Sequence, residues 1–325
     1  MIYLITGSSG FIGHKVALNL LEAGHTVVGV DNMNSYYDVK LKEHRLGELK
    51  KHSDFIFYKT DIDNIDALKE IFEKYSFDGV INLAARAGVV QSMKDPHAYL
   101  RTNTQGTLNL LDLAVKHKIK KFVLASTSSL YAGQSMPFCE TLSVNEPLAP
   151  YPASKKSAEA FAYCYHYLYD LDISVLRYFT VFGPAGRPDL CIFRFIKWID
   201  EGHPIELFGD GSQTRDFTYL DDVASATVAA LKPVGYEVIN VGGGRQPISL
   251  NTVISFMESK LGKKAIIDQK PFFKADMKET WADISKAERL LGWRPKTDVM
   301  EGLGRTIDWY LEHRSWLSKV QLPFG

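Results

Sequence analysis

Short apolar runs recur along the first half of the chain, at residues 2–6, 26–30, 55–58, 79–83, 121–125 and 173–177. Runs of this length without polar alternation are those of strands buried on both faces. Between most of them the apolar positions take helical spacing, over residues 11–23, 65–74, 104–117 and 153–168. Strands alternating with helices predict a parallel sheet covered on both sides, the doubly wound α/β class. Past residue 178 the regularity weakens. Pro184, Gly186 and Pro188 mark a loop, and helical patterns follow at 191–201, 223–231 and 250–261. Short strands are expected at 205–208 and 237–241, and a loop at 271–278. The expected division is a sheet domain over 1–177 and a smaller mixed α/β lobe over 178–325, with about 218–242 returning to the first.

Composition narrows this little. Of 325 residues, 46% are hydrophobic and 23% charged, which suits a globular protein with a sizeable core. Lys+Arg and Asp+Glu are 38 each, so no global charge favours nucleic acid or an acidic membrane. Cys139, Cys164 and Cys191 lie far apart with no CxxC pair, which argues against a zinc site or a disulfide framework, and no metal is expected. No apolar run approaches the ~20 residues of a membrane span. Residues 1–5 run straight into a glycine-rich turn rather than reading as a signal peptide, so a cytoplasmic location is expected.

That turn carries the first candidate chemistry. Gly7, Gly10 and Gly13 follow a strand and open a helix, in the order required of a dinucleotide fingerprint, with Phe11 and Ile12 inside it. The first glycine permits the turn, the second lets backbone approach a pyrophosphate, and the third lets helix and strand pack. The helix start offers free N–H groups and a positive dipole end. Asp31, 18 residues past Gly13 at the end of the second strand, can bind ribose hydroxyls and would repel a 2′-phosphate. NAD is therefore expected over NADP.

Tyr151 and Lys155 supply the second. Four residues apart on a helix, they lie on one face a turn apart. A phenol with a pKa near ~10 is a poor base at neutral pH, and a neighbouring cation favours its ionised form.

With the glycine triplet stand Asp61 in Thr-Asp-Ile62, Asn82-Leu83-Ala84-Ala85, Asn103, Ser126-Thr127-Ser128-Ser129, Tyr151-xxx-Lys155 and Arg215-Asp-Phe-Thr-Tyr219. Over nearly its whole length the chain resembles the extended short-chain dehydrogenase/reductase family, and within it the nucleotide-sugar epimerases. The resemblance implies an NAD-binding Rossmann domain and a lobe for a UDP-sugar. It implies Tyr151 as base, Lys155 as its partner and a ligand of the nicotinamide ribose, and Thr127 as the hydroxyl on the same sugar oxygen. Asp61, Ile62, Leu83, Ala84, Ala85 and Asn103 would line the cofactor. Arg215 and Asp276 would hold the UDP moiety, with Phe208 and Gln213 beside them. It also implies a homodimer through a four-helix bundle of the helices at 104–117 and 153–168.

Three segments resemble those of UDP-glucuronate 4-epimerases: residues 34–38, 178–189 and 214–218. Thr180 replaces an Asn common in UDP-galactose 4-epimerases, and Arg187 adds a cation in the same loop. Together they suit a sugar carboxylate. Ser128 and Ser129 stand where dehydratases and decarboxylases of the family carry acids, which favours epimerisation. Two departures stand against the pattern. Val90 occupies a place where glucuronate epimerases carry Arg, and Leu130-Tyr-Ala132 one where Val-Tyr-Gly is usual. A UDP-glucose or UDP-N-acetylglucosamine 4-epimerase is the alternative, then a UDP-glucuronate decarboxylase, and remotely an NAD-binding regulatory protein without catalysis.

Overall fold

The computed structural model describes residues 1–272 and 277–323. Its strands in chain order are β1 (Ile2–Thr6), β2 (Thr26–Val30), β3 (Phe55–Tyr58), β4 (Gly79–Asn82), β5 (Lys121–Thr127), β6 (Asp172–Tyr178) and β7 (Thr180–Phe182). They continue with β8 (Pro204–Phe208), β9 (Thr214–Arg215), β10 (Phe217–Tyr219), β11 (Tyr236–Val241), β12 (Ile248–Ser249) and β13 (Ile266–Lys270). Seven form one parallel sheet in the order β11-β6-β5-β4-β1-β2-β3. The chain winds outward from β1 to β3 and then resumes at β4 on the other side of β1. Loops leaving the carboxyl ends of β1 and β4 therefore diverge and open a crevice.

The lack of alternation in the strand sequences has its cause here. Successive side chains point to opposite faces, and both faces are buried. Tyr3 and Ile5 join Val16 and Leu20 of the helix Phe11–Glu22 on one side. Leu4 packs with Leu68 and Leu111 on the other. Each such side chain contributes roughly 1.5–3 kcal/mol by leaving water. The helix Leu220–Ala229 packs beside Phe11–Glu22, and β11 extends the sheet next to β6, whereas β10 pairs with β7 outside it.

A second core gathers Ile196 and Ile199 of the helix Cys191–Glu201, Val253 and Met257 of Leu250–Leu261, and Leu303 and Ile307 of Val299–Glu312. Tyr37 and Leu41 belong to it too, so the segment after β2 is clamped between the sheet and the second lobe. Leu41 opens a helix, Lys40–Leu49, that the apolar pattern does not reveal. The helix expected from 104 runs Gly106–Lys116 and follows a π-helical stretch, Leu100–Gln105. The helix carrying Tyr151 begins at Pro150, whose missing N–H costs nothing in the first turn, and extends to Tyr169.

Candidate active site

A cavity of about 400 Å³ occupies the crevice. Its floor follows the strand ends: Gly7, Gly10 and Gly13 after β1, Asp31 after β2, Leu83, Ala84 and Ala85 after β4, and Thr127 closing β5. Phe11, Ile12, Asp61, Ile62, Tyr151, Lys155, Thr180, Arg187 and Arg215 line it as well.

The glycine turn leaves no room for side chains. A Cβ on Gly7, which has φ +69°, would stand 2.8 Å from the Ala84 nitrogen, and one on Gly13 2.1 Å from the Gly7 carbonyl oxygen. The helix Phe11–Glu22 begins at Gly10 without a side-chain cap, which leaves its first N–H groups for a ligand. Among the described residues the buried Ser8 and Ser9 hydroxyls also have no hydrogen-bond partner. A bare backbone cradle at an uncapped helix start fits a pyrophosphate.

Asp31 accepts from the backbone N–H of Ser9 (3.2 Å) and Met33 (2.8 Å), and Lys42 Nζ lies 3.4 Å from it. Asn32 donates to Asp61 at 2.5 Å, joining the ends of two neighbouring loops at one rim. Lys42 was missed by sequence reasoning because it lies on the unrecognised helix.

At the other end, the Thr127 hydroxyl accepts from the Ser129 N–H (3.1 Å) and donates to the Ser129 hydroxyl (3.2 Å). Lys155 is buried and donates to the Ala125 carbonyl at 2.9 Å. Burial lowers its pKa to about 8, against a smaller upward pull from Glu159. Burial raises the Tyr151 pKa, which hydrogen bonding with Thr127 and the charge of Arg187 only partly offset. The expected lowering of the phenol by its lysine is therefore not what the protein alone produces. Desolvation favours the neutral form of both groups.

Arg187 is not an isolated cation. Its Nε and Nη2 donate to the Asp189 carboxylate at 3.0 and 2.5 Å, and its guanidinium lies 5.7 Å from the centre of the Tyr36 ring. Arg86 lies against the same ring at 5.8 Å and lines the cavity, whereas Val90 is 45% exposed and does not. Tyr36 donates to the Ala87 carbonyl, and Tyr99 stands edge-on to Tyr151 with ring centres 6.1 Å apart.

Asn103 does not line the cavity. Its amide accepts from the Arg86 N–H and donates to the Arg86 carbonyl and to Ser154, so it shapes the loop after β4. Gln213 donates to the Phe208 carbonyl at 2.6 Å, and both lie outside the cavity lining. Arg215 lines the cavity and donates to the carbonyls of Thr214 and Lys278. Asp276 lies outside the described residues.

Residues 3–242 match the model of the NAD dependent epimerase/dehydratase family. The chain belongs to this family. A UDP-glucuronate 4-epimerase of Thermodesulfobacterium geofontis is 58% identical over 320 residues, 98% of this chain and 99% of that one. The solved structure of a Bacillus cereus UDP-glucuronic acid 4-epimerase in complex with UDP-glucuronic acid and NAD superposes with a TM-score of 0.91 at 38% identity. That match covers 96% of this chain and 100% of the other. A Thermotoga maritima UDP-glucose 4-epimerase with UDP-glucose follows at 0.89 and 32%, covering 97% and 100%. The family is NAD-dependent, and the bare glycine cradle and Asp31 in the crevice fit that cofactor. Among the described residues no cluster of His, Cys, Asp and Glu forms a metal site.

Proposed function

We infer that the protein is an NAD-dependent UDP-glucuronate 4-epimerase, an isomerase that interconverts UDP-glucuronate and UDP-galacturonate. The observation that carries this is the full-length relationship, at 58% identity, to an enzyme of that activity.

The assignment of roles is our proposal. Gly7, Gly10, Phe11, Ile12 and Gly13 hold the cofactor pyrophosphate, Asp31 a ribose, Asp61 and Ile62 the adenine side, and Leu83, Ala84, Ala85 and Lys155 the nicotinamide side. Held there, the cofactor would supply hydride acceptance and return at sugar carbon 4. Tyr151 removes the proton from the carbon-4 hydroxyl and later restores it, while Thr127 hydrogen-bonds the same oxygen. Lys155 holds a positive charge one helical turn away and favours the phenolate. The nucleotide is anchored by Arg215, with Phe208, Gln213 and Asp276 contributing from the second lobe, so that the 4-keto sugar can turn and present its other face.

Oxidation at carbon 4 makes a β-keto acid. If the bond from carbon 5 to the carboxylate aligns with the carbonyl π system, it breaks. Its electron pair stays on carbon 5, which takes a proton, and carbon dioxide leaves. Thr180 and the Arg187 guanidinium hold the carboxylate out of that alignment. The hydroxyls of Thr127, Ser128 and Ser129 add no acid that would assist the loss.

The same proposal includes a two-lobe division near residue 178, a homodimer and a cytoplasmic location. The dimer is supported by Tyr163, Tyr167, Leu168 and Tyr169, all more than half exposed on the helix Pro150–Tyr169. Among the described residues no helix is long and apolar enough to cross a membrane.

Incubating purified protein with UDP-glucuronate, UDP-glucose and UDP-N-acetylglucosamine, and identifying products by NMR, tests the reading. UDP-galacturonate from the first substrate, at a kcat/KM well above the other two, is the expected result. A 4-keto-pentose as main product, or preference for a neutral sugar, refutes it.

A further inference from the structure

Arg45 has 0% of its surface exposed, and among the described residues it forms no ion pair. A buried guanidinium is costly unless its donors are satisfied. Here its five N–H donors match five hydrogen bonds, all to uncharged oxygens. Nε and Nη2 donate to the Ala185 carbonyl at 3.1 and 2.5 Å, and Nη2 also to Gly186 at 3.3 Å. Nη1 donates to the Ser9 carbonyl at 3.2 Å and to the Tyr37 hydroxyl at 2.8 Å. One side chain thus joins the glycine turn, the segment after β2 and the turn that carries Arg187.

Ala185 sits at φ +52°, a left-handed conformation that costs an L residue roughly 1–2 kcal/mol. Its carbonyl takes two of the five bonds. Such strain persists where the surroundings hold it in place, and a planar fork is the group that can reach three chain segments at once. Arg187 follows two residues later.

We propose that Arg45 is a positioning residue for carboxylate recognition: it pins the 183–186 turn to the cofactor loop and so fixes the place of Arg187. This rests on the role given to Arg187 above. The glycine turn keeps its own backbone bonds, from Gly7 and Ser8 to the Val30 carbonyl and from Gly10 to the Gly7 carbonyl, so the dependence runs one way, from the cofactor loop to the turn that carries Arg187.

The test compares R45K, R187A and the double variant R45K/R187A, each purified and loaded with NAD. Lysine keeps the charge and most of the volume but loses the fork, so R45K is the decisive variant; Tyr37→Phe, which removes a single bond, serves if R45K folds poorly. Thermal midpoint, NAD Kd, KM and kcat for UDP-glucuronate, and the ratio of decarboxylated 4-keto-pentose to UDP-galacturonate are measured. We expect R45K to bind NAD within about threefold of wild type. Its KM for UDP-glucuronate should rise on the order of 10-fold, with a severalfold larger share of pentose. In the double variant the pentose share should equal that of R187A, because both changes act through one group. A lowered midpoint with unchanged KM and product ratio, beside an R187A that alters both, overturns the proposal. So does a double variant in which the two effects multiply. If R187A itself changes neither KM nor product ratio, the assignment of Arg187 falls and this inference falls with it.

Discussion

Lys155 donates to the carbonyl oxygen of Ala125 at 2.9 Å, so its ammonium is moored to the end of β5 rather than to a carboxylate. Burial lowers its pKa to about 8. Its charge is then lost as pH rises through that value, while the phenol, which burial holds above its ordinary range, is still ionising. In the free enzyme kcat/KM should therefore rise toward about pH 8 and then level off, because the falling share of ammonium offsets the rising share of phenolate. Lys155→Met should lose on the order of 10²-fold or more in kcat/KM, and its residual activity should keep rising through pH 8, because only the phenol has to ionise. A pH–rate profile of both proteins checks this; the same levelling near pH 8 in both would contradict it.

Asp189 neutralises Arg187 through two hydrogen bonds and brings a negative charge to the cavity wall. Asp189→Asn should tighten UDP-glucuronate binding by roughly 5-fold, about 1 kcal/mol for removing one repulsion at a partly screened distance. Binding of UDP-glucose, which lacks the carboxylate, should not change. Calorimetric Kd values for the two ligands separate the cases.

Much of this fold was legible because both faces of the sheet are buried, and the strands therefore read as continuous apolar runs. The glycine turn, Asp31 and the Tyr151–Lys155 spacing depend on neighbours close in sequence, and the structure brings them to one cavity. The helix Lys40–Leu49 was not legible. Its inward stripe is Leu41, Lys42, Arg45, Leu46 and Leu49, so two of its five buried members are cations and the periodicity looks polar. Arg45 is buried by backbone carbonyls from loops more than 30 and 130 residues away in sequence, which no local pattern records. The ion pair of Arg187 was hidden differently. Asp189 is only two residues on, but whether it meets that guanidinium depends on the turn.

Glu159 and Arg177 form a pair with both side chains about 97% buried, at 2.9 and 2.8 Å, and Ser126 donates to the same carboxylate. Removing one partner leaves a buried charge unmatched, so Glu159→Gln should destabilise by about 3 kcal/mol. The double variant Glu159→Leu/Arg177→Met should recover a good part of that loss. Because Glu159 holds the Lys155 pKa up, Glu159→Gln should also move the levelling of activity to lower pH. Denaturation midpoints and the pH profile test the two effects separately.

Gly13 and Gly24 make a matched contrast. A Cβ on Gly13 would collide with the Gly7 carbonyl, whereas one on Gly24 meets nothing within 4 Å. Gly13→Ala should displace the cradle and weaken NAD binding by on the order of 100-fold. Gly24→Ala should cost only the roughly 1–2 kcal/mol of its positive φ and leave NAD affinity alone. Equal NAD affinity in the two variants would argue against a pyrophosphate at the turn.

In the proposed epimerisation, hydride leaves and returns to one carbon while the carboxylate stays attached. UDP-glucuronate carrying deuterium at carbon 4, turned over in ordinary water and read by NMR and mass spectrometry, addresses it most directly. The expected product is UDP-galacturonate that retains the deuterium at carbon 4. Deuterium lost to solvent from carbon 4, or a pentose product that has lost carbon dioxide, would contradict it.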